Sequence, residues 1–482
     1  MMKKVLTCLM LISTISWASG QNSEKKWTLE ECVNYAWENN LTVRNSQLTQ
    51  LQNEISLKQS RFALLPNLSA GGRVGKSFGR TIDPVTNSFV SSTFTSGGVS
   101  ANASMLVYQG GIQRNRIEQG ELNLEASKFD LEKAKNDIGL TVATNFLNVL
   151  LNREQLENAR FQLQISTEQL ERTKKLVDAG SLPLTNQLDL ESQKASNEVQ
   201  VVNAENAVNI ATLNLKQAMQ MPASEALYIE APNLEVGQVQ MAMEDPTSIY
   251  EVAVNNQPEI KSAELGVESS DIGVKISRGA FLPTLSISGS LSTNYSDQAR
   301  EFLGLTEVAV PAQEIGFVQG TNQAVFTNPS TRSVSQFSES YGVINQFDDN
   351  LGQSVNVSLN VPIFNRLTNT SNFQRAQITK QQAELTQQNV QNQLRQNIET
   401  AYNNAIAGLK SYEATEKRVK ALEESFRVID QRYNVGDANF VDYQVASNNL
   451  FAARTDLVRA KYEYIFRVTI LEFYLGNPIT LD

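Results

Sequence analysis

The stretch GGRVGKS, from Gly71 to Ser77, has the residue types of a phosphate-binding loop. In such a loop, backbone amides between two glycines hold the phosphates, and the lysine neutralises part of their charge. One residue too few separates Gly71 from Gly75, and the stretch lies in an alternating pattern typical of a strand instead of opening a helix. The spacing therefore argues against a nucleotide site and in favour of a strand.

The side chains that most often carry acid–base or metal chemistry are scarce in this chain. It contains no histidine, which is the usual general base and the commonest ligand of transition metals, and its only cysteines are Cys8 and Cys32. No nucleophile, base and orienting group recur at a spacing that would assemble a catalytic set. We therefore predict a protein that is not an enzyme and that binds no cofactor and no metal.

The N-terminal residues have the layout of a cleavable secretory signal. A basic start, MMKK, precedes an apolar run over 5–17 and small residues before Gln21, which predicts a signal peptide over residues 1–20. The mature chain then keeps Cys32 alone, so no internal disulfide is expected in an oxidising compartment. A formal net charge of −10 argues against nucleic acid as a partner.

The mature sequence contains an internal duplication. LLPNLSAGG at 64–72 returns as FLPTLSISG at 281–289, an offset of 217 residues. Further along, Gly180 returns as Gly436 at an offset of 256 residues. A repeat of this size means two copies of one structural plan. We expect a first repeat over 21–222, a linker over 223–246 and a second repeat over 247–482.

Each repeat is predicted to be helical around one β-hairpin. Helices are expected over 28–62 and 247–280, and Pro66 and Pro283 then mark helix-to-strand junctions, because proline lacks the amide donor that a helix needs. The remaining elements expected are hairpins at 66–108 and 283–362, long helices from 112 to 178 and from 366, tip turns at 179–184 and 435–439, and returning helices at 184–219 and 440–475. The extra length of the second repeat falls between the strands, so 77–97 and 293–352 are expected to be exposed connections.

The strand segments alternate apolar and polar residues with a period of two. In the second repeat Leu285, Ile287 and Leu291 alternate with serines. Past the signal, no apolar run is long enough for a spanning helix, so strands of about nine to eleven residues are the candidates for crossing a membrane. Four strands cannot close a barrel, and an open edge in lipid leaves backbone groups unpaired. Two, three or four copies would supply eight, twelve or sixteen strands, and physics alone does not choose among them.

The order of several short motifs resembles the TolC-like outer-membrane efflux proteins. These motifs are the duplicated LP before a strand, VDAGSLPLTNQL at 177–188, YNVGDANFVDYQ at 433–444 and LGNP at 475–478. The resemblance covers nearly the whole mature chain. It implies a mostly α-helical chain in a homotrimer, with a transmembrane β-barrel of twelve strands, four from each chain, in the cell outer membrane. A long α-helical barrel would continue from it into the periplasm.

The resemblance also implies a function and partners. Such a protein is a passive duct in outer-membrane lipid that receives substrates from an inner-membrane pump of the RND, ABC or MFS type. A periplasmic adaptor protein connects the two, in tripartite efflux or type I secretion, and the exported substrate stays open between drugs, other small molecules and proteins. The alternative is a periplasmic helical-hairpin adaptor or scaffold without a membrane barrel, which explains the helices but not the strands.

In this family the periplasmic end of the duct is a gate that is closed at rest. The resemblance places four residues at the gate: Tyr433, Asp442, Thr185 and Asn186. Ala438 stands where the family's gate arginine would be, and Val445 stands where its second aspartate would be. Our hypothesis is therefore a gate closed by hydrogen bonds and not by salt bridges. The alternative for Asp442 is that it only favours a helix N-terminus, where a carboxylate meets the positive end of the helix dipole.

The two tip turns are candidates for docking the adaptor. Glycine at each turn is explained by the end of a helix, since glycine tolerates the left-handed cap conformation. An exposed turn can also bind a partner, and both roles stay open. The residues concerned are Gly180, Ser181 and Leu182 in the first repeat and Gly436, Asp437 and Ala438 in the second.

Overall fold

The computed structural model describes residues 25–83, 85–90, 93–232 and 245–477. The predicted signal peptide 1–20, residues 233–244 of the predicted linker, and Pro478 lie outside the described residues. The described residues divide into two compact units: one takes those that fall within 1–54, 122–268 and 381–482, and the other takes those within 55–121 and 269–380. In the described part of the chain, no helix is both long and apolar enough to cross a membrane.

The first repeat follows the predicted order of helix, hairpin, long helix and returning helix. Its elements are β1 (Lys26–Trp27), α1 (Leu29–Asn39), α2 (Leu41–Phe62), β2 (Asn67–Ser77), β3 (Thr81–Ile82), β4 (Phe89–Val90), β5 (Phe94–Gln109), α3 (Ile112–Asp178), α4 (Leu184–Met219) and β6 (Tyr228–Ile229). Strand β2 begins directly after Pro66, and β1 pairs with β6 in parallel.

The second repeat has the same order with a longer connection between its strands. Its elements are α5 (Pro246–Asn256), α6 (Pro258–Gly279), β7 (Thr284–Ser296), β8 (Phe302–Val310), β9 (Glu314–Phe317), β10 (Ala324–Phe326), β11 (Ser330–Phe337), α7 (Val343–Asp349), β12 (Gly352–Asn360), α8 (Thr368–Asn434) and α9 (Phe440–Tyr474). Helices α3 and α8 each contain 67 residues, and the offset of 256 carries the first residue of α3 onto the first residue of α8.

The helices expected over 28–62 and 247–280 are each broken once, which corrects the prediction. The breaks fall at Asn40 and Gln257, which are equivalent residues with extended backbones (ψ 130° and 129°). The Asn40 Oδ1 atom accepts a hydrogen bond of 2.8 Å from the Thr42 amide and so begins α2. Pro258 disfavours a helical conformation at Gln257. The apolar periodicity continues across each break and does not reveal it.

Two apolar clusters, related by the duplication, hold α1 and α5 in place. Cys32 and Ala36 of α1 are fully buried in a cluster with residues of α3, α4 and α9. Their equivalents Ile249 and Ala253 of α5 are buried with residues of α8 and α9, including Ile398. Each buried methylene contributes about 0.8 kcal/mol, so these contacts outweigh the weak helix propensity of short α1 and α5.

The four strands predicted from the alternating pattern form one antiparallel sheet in the unit that comprises 55–121 and 269–380. The strand order is β12–β7–β5–β2, so the two hairpins are joined through β5 and β7. Strands β5 and β7 contain 16 and 13 residues and are longer than the expected nine to eleven. Within this sheet, β2 and β12 each have one edge without a partner strand.

The segment 293–352 is more structured than the exposed connection that we expect from sequence. After β7 it contains an antiparallel pair of β8 and β11, a smaller pair of β9 and β10, and the short helix α7. Many apolar side chains of β8 and β11 are exposed, among them Phe302 and Leu305. Among its described residues, the connection between β2 and β5 contains the short pair of β3 and β4.

Candidate gate and tip turns

Both tip turns are built by the same helix-ending motif. In the first repeat the Ser181 amide donates to the Leu176 carbonyl (2.8 Å) and the Gly180 amide donates to the Val177 carbonyl (2.8 Å). The equivalent bonds after α8 start from the amides of Asp437 and Gly436, at 2.8 and 3.1 Å. This pair of bonds is the Schellman motif, which satisfies the last carbonyls of a helix.

The glycine in each turn is required by its backbone conformation. Gly180 has φ 74° and Gly436 has φ 83°, in the left-handed region that residues with a Cβ atom rarely adopt. A Cβ atom added at either position would meet nothing within 4 Å. These glycines are therefore required by the backbone conformation and not by close contacts with neighbouring atoms. The open space beside each turn leaves room for a partner.

The second turn is further fixed by an exposed ion pair. Arg432 Nε donates to Asp437 Oδ2 (2.9 Å), and Arg432 Nη2 donates to the Asp437 carbonyl (3.2 Å). Surface pairs of this kind contribute about 0–1 kcal/mol. Ser181 and Asp437 are exposed, while Leu182 and Ala438 are half-buried.

Tyr433 belongs to an aromatic cluster at the end of α8 and the start of α9. Its ring stacks on Tyr443 with 4.9 Å between centroids and lies 6.3 Å from Phe440. The Phe426 ring also packs against Tyr443, with 5.4 Å between the ring centroids. Sequence reasoning identified Tyr433 but missed the other three rings. The signal was present in the helical spacing of Phe440, Tyr443 and Leu450, which are all buried.

The aromatic cluster is linked to the first repeat through the Tyr443 hydroxyl. Gln169 Nε2 on α3 donates to this hydroxyl oxygen at 3.0 Å. Burial raises the pKa of Tyr443 to about 12, with a further contribution from the negative charge of Asp430. The hydroxyl therefore stays protonated at every physiological pH, and this link between the repeats is not a pH switch.

Further polar contacts bring the ends of the two repeats together. Arg172 Nη1 donates to Asn434 Oδ1 at 2.6 Å, and Gln444 Nε2 donates to Gln193 Oε1 at 2.7 Å. Between α3, α4 and α9 lies a cavity of about 20 Å³, lined by Gln169, Gln193 and nine further residues. The contact between the repeats near the tips is therefore largely polar.

The other predicted gate residues lie in the first turns of the returning helices. Asn439 caps α9 by accepting a hydrogen bond of 2.9 Å from the amide of Asp442, whose side chain is exposed. Thr185 is exposed and Asn186 is half-buried in the first turn of α4. Among the described residues of a single chain, no side-chain hydrogen bond joins Asn186 to Tyr433. A bond between them stays a prediction for neighbouring copies.

In the described part of the chain, the acidic side chains and Cys32 are too scattered for a metal centre. Across 25–83, 85–90, 93–232 and 245–477, no group of three or more His, Cys, Asp or Glu side chains could hold a metal ion. Cys32 is buried, and desolvation raises the pKa of its thiol to about 12, which makes it a packing residue and not a nucleophile.

Comparison with known proteins assigns the chain to a family. Residues 33–219 and 249–477 match the outer membrane efflux protein family, and the chain belongs to that family. It is 23% identical to the outer membrane protein TolC of Vibrio cholerae serotype O1 over 487 residues, covering 99% of this chain and 96% of TolC. The structure of VceC from Vibrio cholerae matches with a TM-score of 0.70 at 14% identity, covering 94% of this chain and 96% of VceC. The open MtrE channel of Neisseria gonorrhoeae matches with a TM-score of 0.69 at 18% identity, covering 94% of this chain and 90% of MtrE.

Family membership confirms the resemblance found in the sequence. The protein is an outer-membrane efflux channel, and the predicted fold class and outer-membrane location are confirmed. The channel function fits these findings better than a periplasmic adaptor or scaffold does. The family consists of transport channels and is not a family of enzymes.

Proposed function

We propose that three copies of this chain close their sheets into one twelve-stranded barrel and receive substrate from an inner-membrane pump through a periplasmic adaptor. The direction of the edge strands carries this proposal. Each strand in the order β12–β7–β5–β2 is antiparallel to its neighbour, so the edge strands β2 and β12 also run antiparallel. Strand β2 of one copy can therefore pair with β12 of the next without breaking the alternation.

Closure by copies also removes the cost of the open edges. In lipid, each unpaired backbone group costs several kcal/mol, so a sheet with two free edges requires partners on both sides. Head-to-tail pairing of β2 with β12 supplies both at once and forms a ring with cyclic symmetry. The edge argument allows any number of copies, and family membership favours three.

A paired-cysteine scan tests the β2–β12 interface directly. One cysteine replaces a residue of β2 (Ser69 or Gly71) and one replaces a residue of β12 (Ser354 or Asn356) in the same chain. Correctly registered pairs should form disulfides and give bands of two and three linked chains on denaturing gels. Cys32 can stay in place, because its buried thiol is unreactive.

The matched control combines Ser69→Cys with Val355→Cys. Val355 is adjacent to Ser354 but on the opposite face of the sheet, so this pair should not link. If this pair forms disulfides as readily as the same-face pairs, the proposed strand pairing is contradicted.

The mass of the detergent-extracted protein, measured by light scattering with correction for detergent, should equal three chains. A mass of two or four chains would replace the trimer, and a water-soluble monomer would refute the channel.

The tip turns are proposed as the docking surface for the adaptor. Their exposure and their rigid Schellman geometry support this role. A photo-crosslinking amino acid at Ser181 or at Asp437 should capture a periplasmic adaptor in intact cells. The same probe at Thr144, an exposed residue in the middle of α3, is the control. If the adaptor is captured equally at all three positions, the proposal that the tip turns dock it is contradicted.

The gate is proposed to depend on Tyr433, Asn186, Thr185 and Asp442 of neighbouring copies. The hydroxyl of Tyr433 and its ring have separable roles, because the ring stacks within one chain. Tyr433→Phe removes only the hydroxyl, and Tyr433→Ala also removes the stack. Single-channel conductance should rise in Tyr433→Phe and in Asn186→Ala; conductance equal to that of the wild type in both would eliminate the hydrogen-bonded gate.

A further inference from the structure

We propose that Arg73 sets the charge selectivity of the membrane-spanning part of the pore, by making it favour anions. The inference rests on the proposed trimeric barrel and concerns a property that the barrel alone does not determine. In a trimer, three Arg73 side chains would form one ring of positive charge on a polar face whose other residues within the four strands are uncharged.

The sheet has one polar face and one apolar face, and the register shows which residues share each face. Ser69, Asn102, Ser290 and Ser354 are direct neighbours across the four strands. The hydroxyl oxygens of Ser290 and Ser354 lie 2.8 Å apart, so these side chains lie on the same face. The next row, containing Leu68 and Val355, belongs to the apolar face. In a membrane barrel the polar face lines the lumen.

Arg73 lies on the polar face. Strand β2 pairs with β5 from Asn67 to Ser77 without a register shift, so Ser69 and Arg73, four residues apart, point to the same side. The neighbours of Arg73 across the sheet are Gly98 and then Asn294. A Cβ atom on Gly98 would lie 2.7 Å from Asn294 Oδ1, so an uncharged amide occupies the space beside the Arg73 row.

The charge of Arg73 is not balanced within the sheet. Arg73 and Lys76 are the only charged residues in β2, β5, β7 and β12. Arg73 is exposed, and its guanidinium forms no ion pair within the described residues 25–83, 85–90, 93–232 and 245–477. Lys76 is three residues further along and therefore on the opposite face.

The expected effect follows from screened Coulomb interactions. Three charges roughly 10 Å from a permeating ion, screened over a Debye length of about 10 Å at 0.1 M salt, change the ratio of anion to cation permeability by about fivefold. At 1 M salt the Debye length falls to about 3 Å, so the effect should nearly vanish. Acidic groups beyond the strands, such as Asp83 and Asp297, are the same in every variant and cancel in a comparison.

The experiment measures reversal potentials of the full-length protein in planar lipid bilayers under a KCl gradient. Arg73→Gln should lower the ratio of chloride to potassium permeability by about fivefold at 0.1 M salt. Arg73→Lys should keep the ratio of the wild type, since it keeps the charge. Lys76→Gln is the matched control, because it removes one charge from the same strand on the lipid side and should leave the ratio unchanged.

Two results would overturn the inference while leaving the channel intact. One is an unchanged reversal potential in Arg73→Gln; the other is an equal shift in Arg73→Gln and Lys76→Gln, which would mean that the face of the sheet does not matter. Failure of the proposed function has a different signature: a protein that is not a pore would give no channels with any variant, and a pore of another size would not have the mass of three chains.

Discussion

The hydrogen bond from Gln169 Nε2 to the Tyr443 hydroxyl should couple the two repeats near the tips. Tyr443 is buried, and the bond length is 3.0 Å. Tyr443→Phe removes the hydroxyl that accepts the bond and leaves the Gln169 amide without this acceptor. The expected cost is about 1–3 kcal/mol in the local opening free energy. Gln169→Met keeps the volume and removes the donor, at a cost of about 1 kcal/mol.

The double variant separates coupling from simple loss of packing. If the two groups act through one bond, the second substitution adds little to the first, and the coupling energy is about 0.5–1.5 kcal/mol. Hydrogen exchange at amides of 434–445 in the detergent-solubilised protein measures the opening free energy for all four members of the cycle. The aromatic stack with Tyr433 persists in Tyr443→Phe, so the ring contribution stays constant.

Channel recordings give the functional consequence. A looser contact between the repeats should raise the fraction of time that the channel is open in Tyr443→Phe and in Gln169→Met, and the double variant should resemble the single variants. The reasoning would be refuted if the effects of the two substitutions simply added, both in the opening free energy from hydrogen exchange and in the fraction of time that the channel is open. Additivity would mean that Tyr443 and Gln169 stabilise the tips independently.

Three further changes test other parts of the structure. Gly436→Ala forces a Cβ atom into the left-handed region and should cost about 1–2 kcal/mol in thermal unfolding, whereas Gly436→Asn should cost less. Asn40→Ala removes the cap of α2 and should cost about 1 kcal/mol in the same assay. Burial alone would raise the pKa of Asp83, but hydrogen bonds from Ser296, Thr86 and the backbone lower it overall. The folded state therefore gains stability from Asp83 above the ordinary Asp pKa of about 3.9 and loses it as the pH falls further. Ser296 also exchanges hydrogen bonds with Gln346 of α7, so hydrogen exchange in α7 should show this pH dependence, and Asp83→Asn should abolish it.

Much of the helical structure could be predicted because the duplication supplies each boundary twice. The bounds expected for α3 and α4, 112–178 and 184–219, match the observed ones. Gly180 and Gly436 punctuate both long helices, and their positive φ angles explain why such a signal is dependable. A helix boundary that is marked at equivalent positions in both repeats is less easily a coincidence than one that is marked once.

The breaks at Asn40 and Gln257 show where this reasoning fails. Asparagine and glutamine inside an apolar period look like solvated positions of one helix. Here both are buried, and their side-chain amides reach the carbonyls of Ala218 and Phe473 at 3.1 and 3.5 Å. These acceptors are remote in sequence and lie in the last turns of α4 and α9. Only the tertiary structure therefore shows that the two amides bind the carbonyls at the ends of these helices.

The same limit applies to the gate and the sheet, and it separates what a local pattern determines from what it does not. Alternation along β2 determines that Arg73 and Lys76 lie on opposite faces, since this depends only on the period of a strand. Alternation does not determine that β5 pairs with β7, nor that Tyr433 meets Tyr443, since both contacts join segments with their own independent patterns. The sequence alone therefore predicts which face each charge lies on. That Arg73 is the sole charge on the polar face of the sheet follows only once the strand order shows which strands form that face.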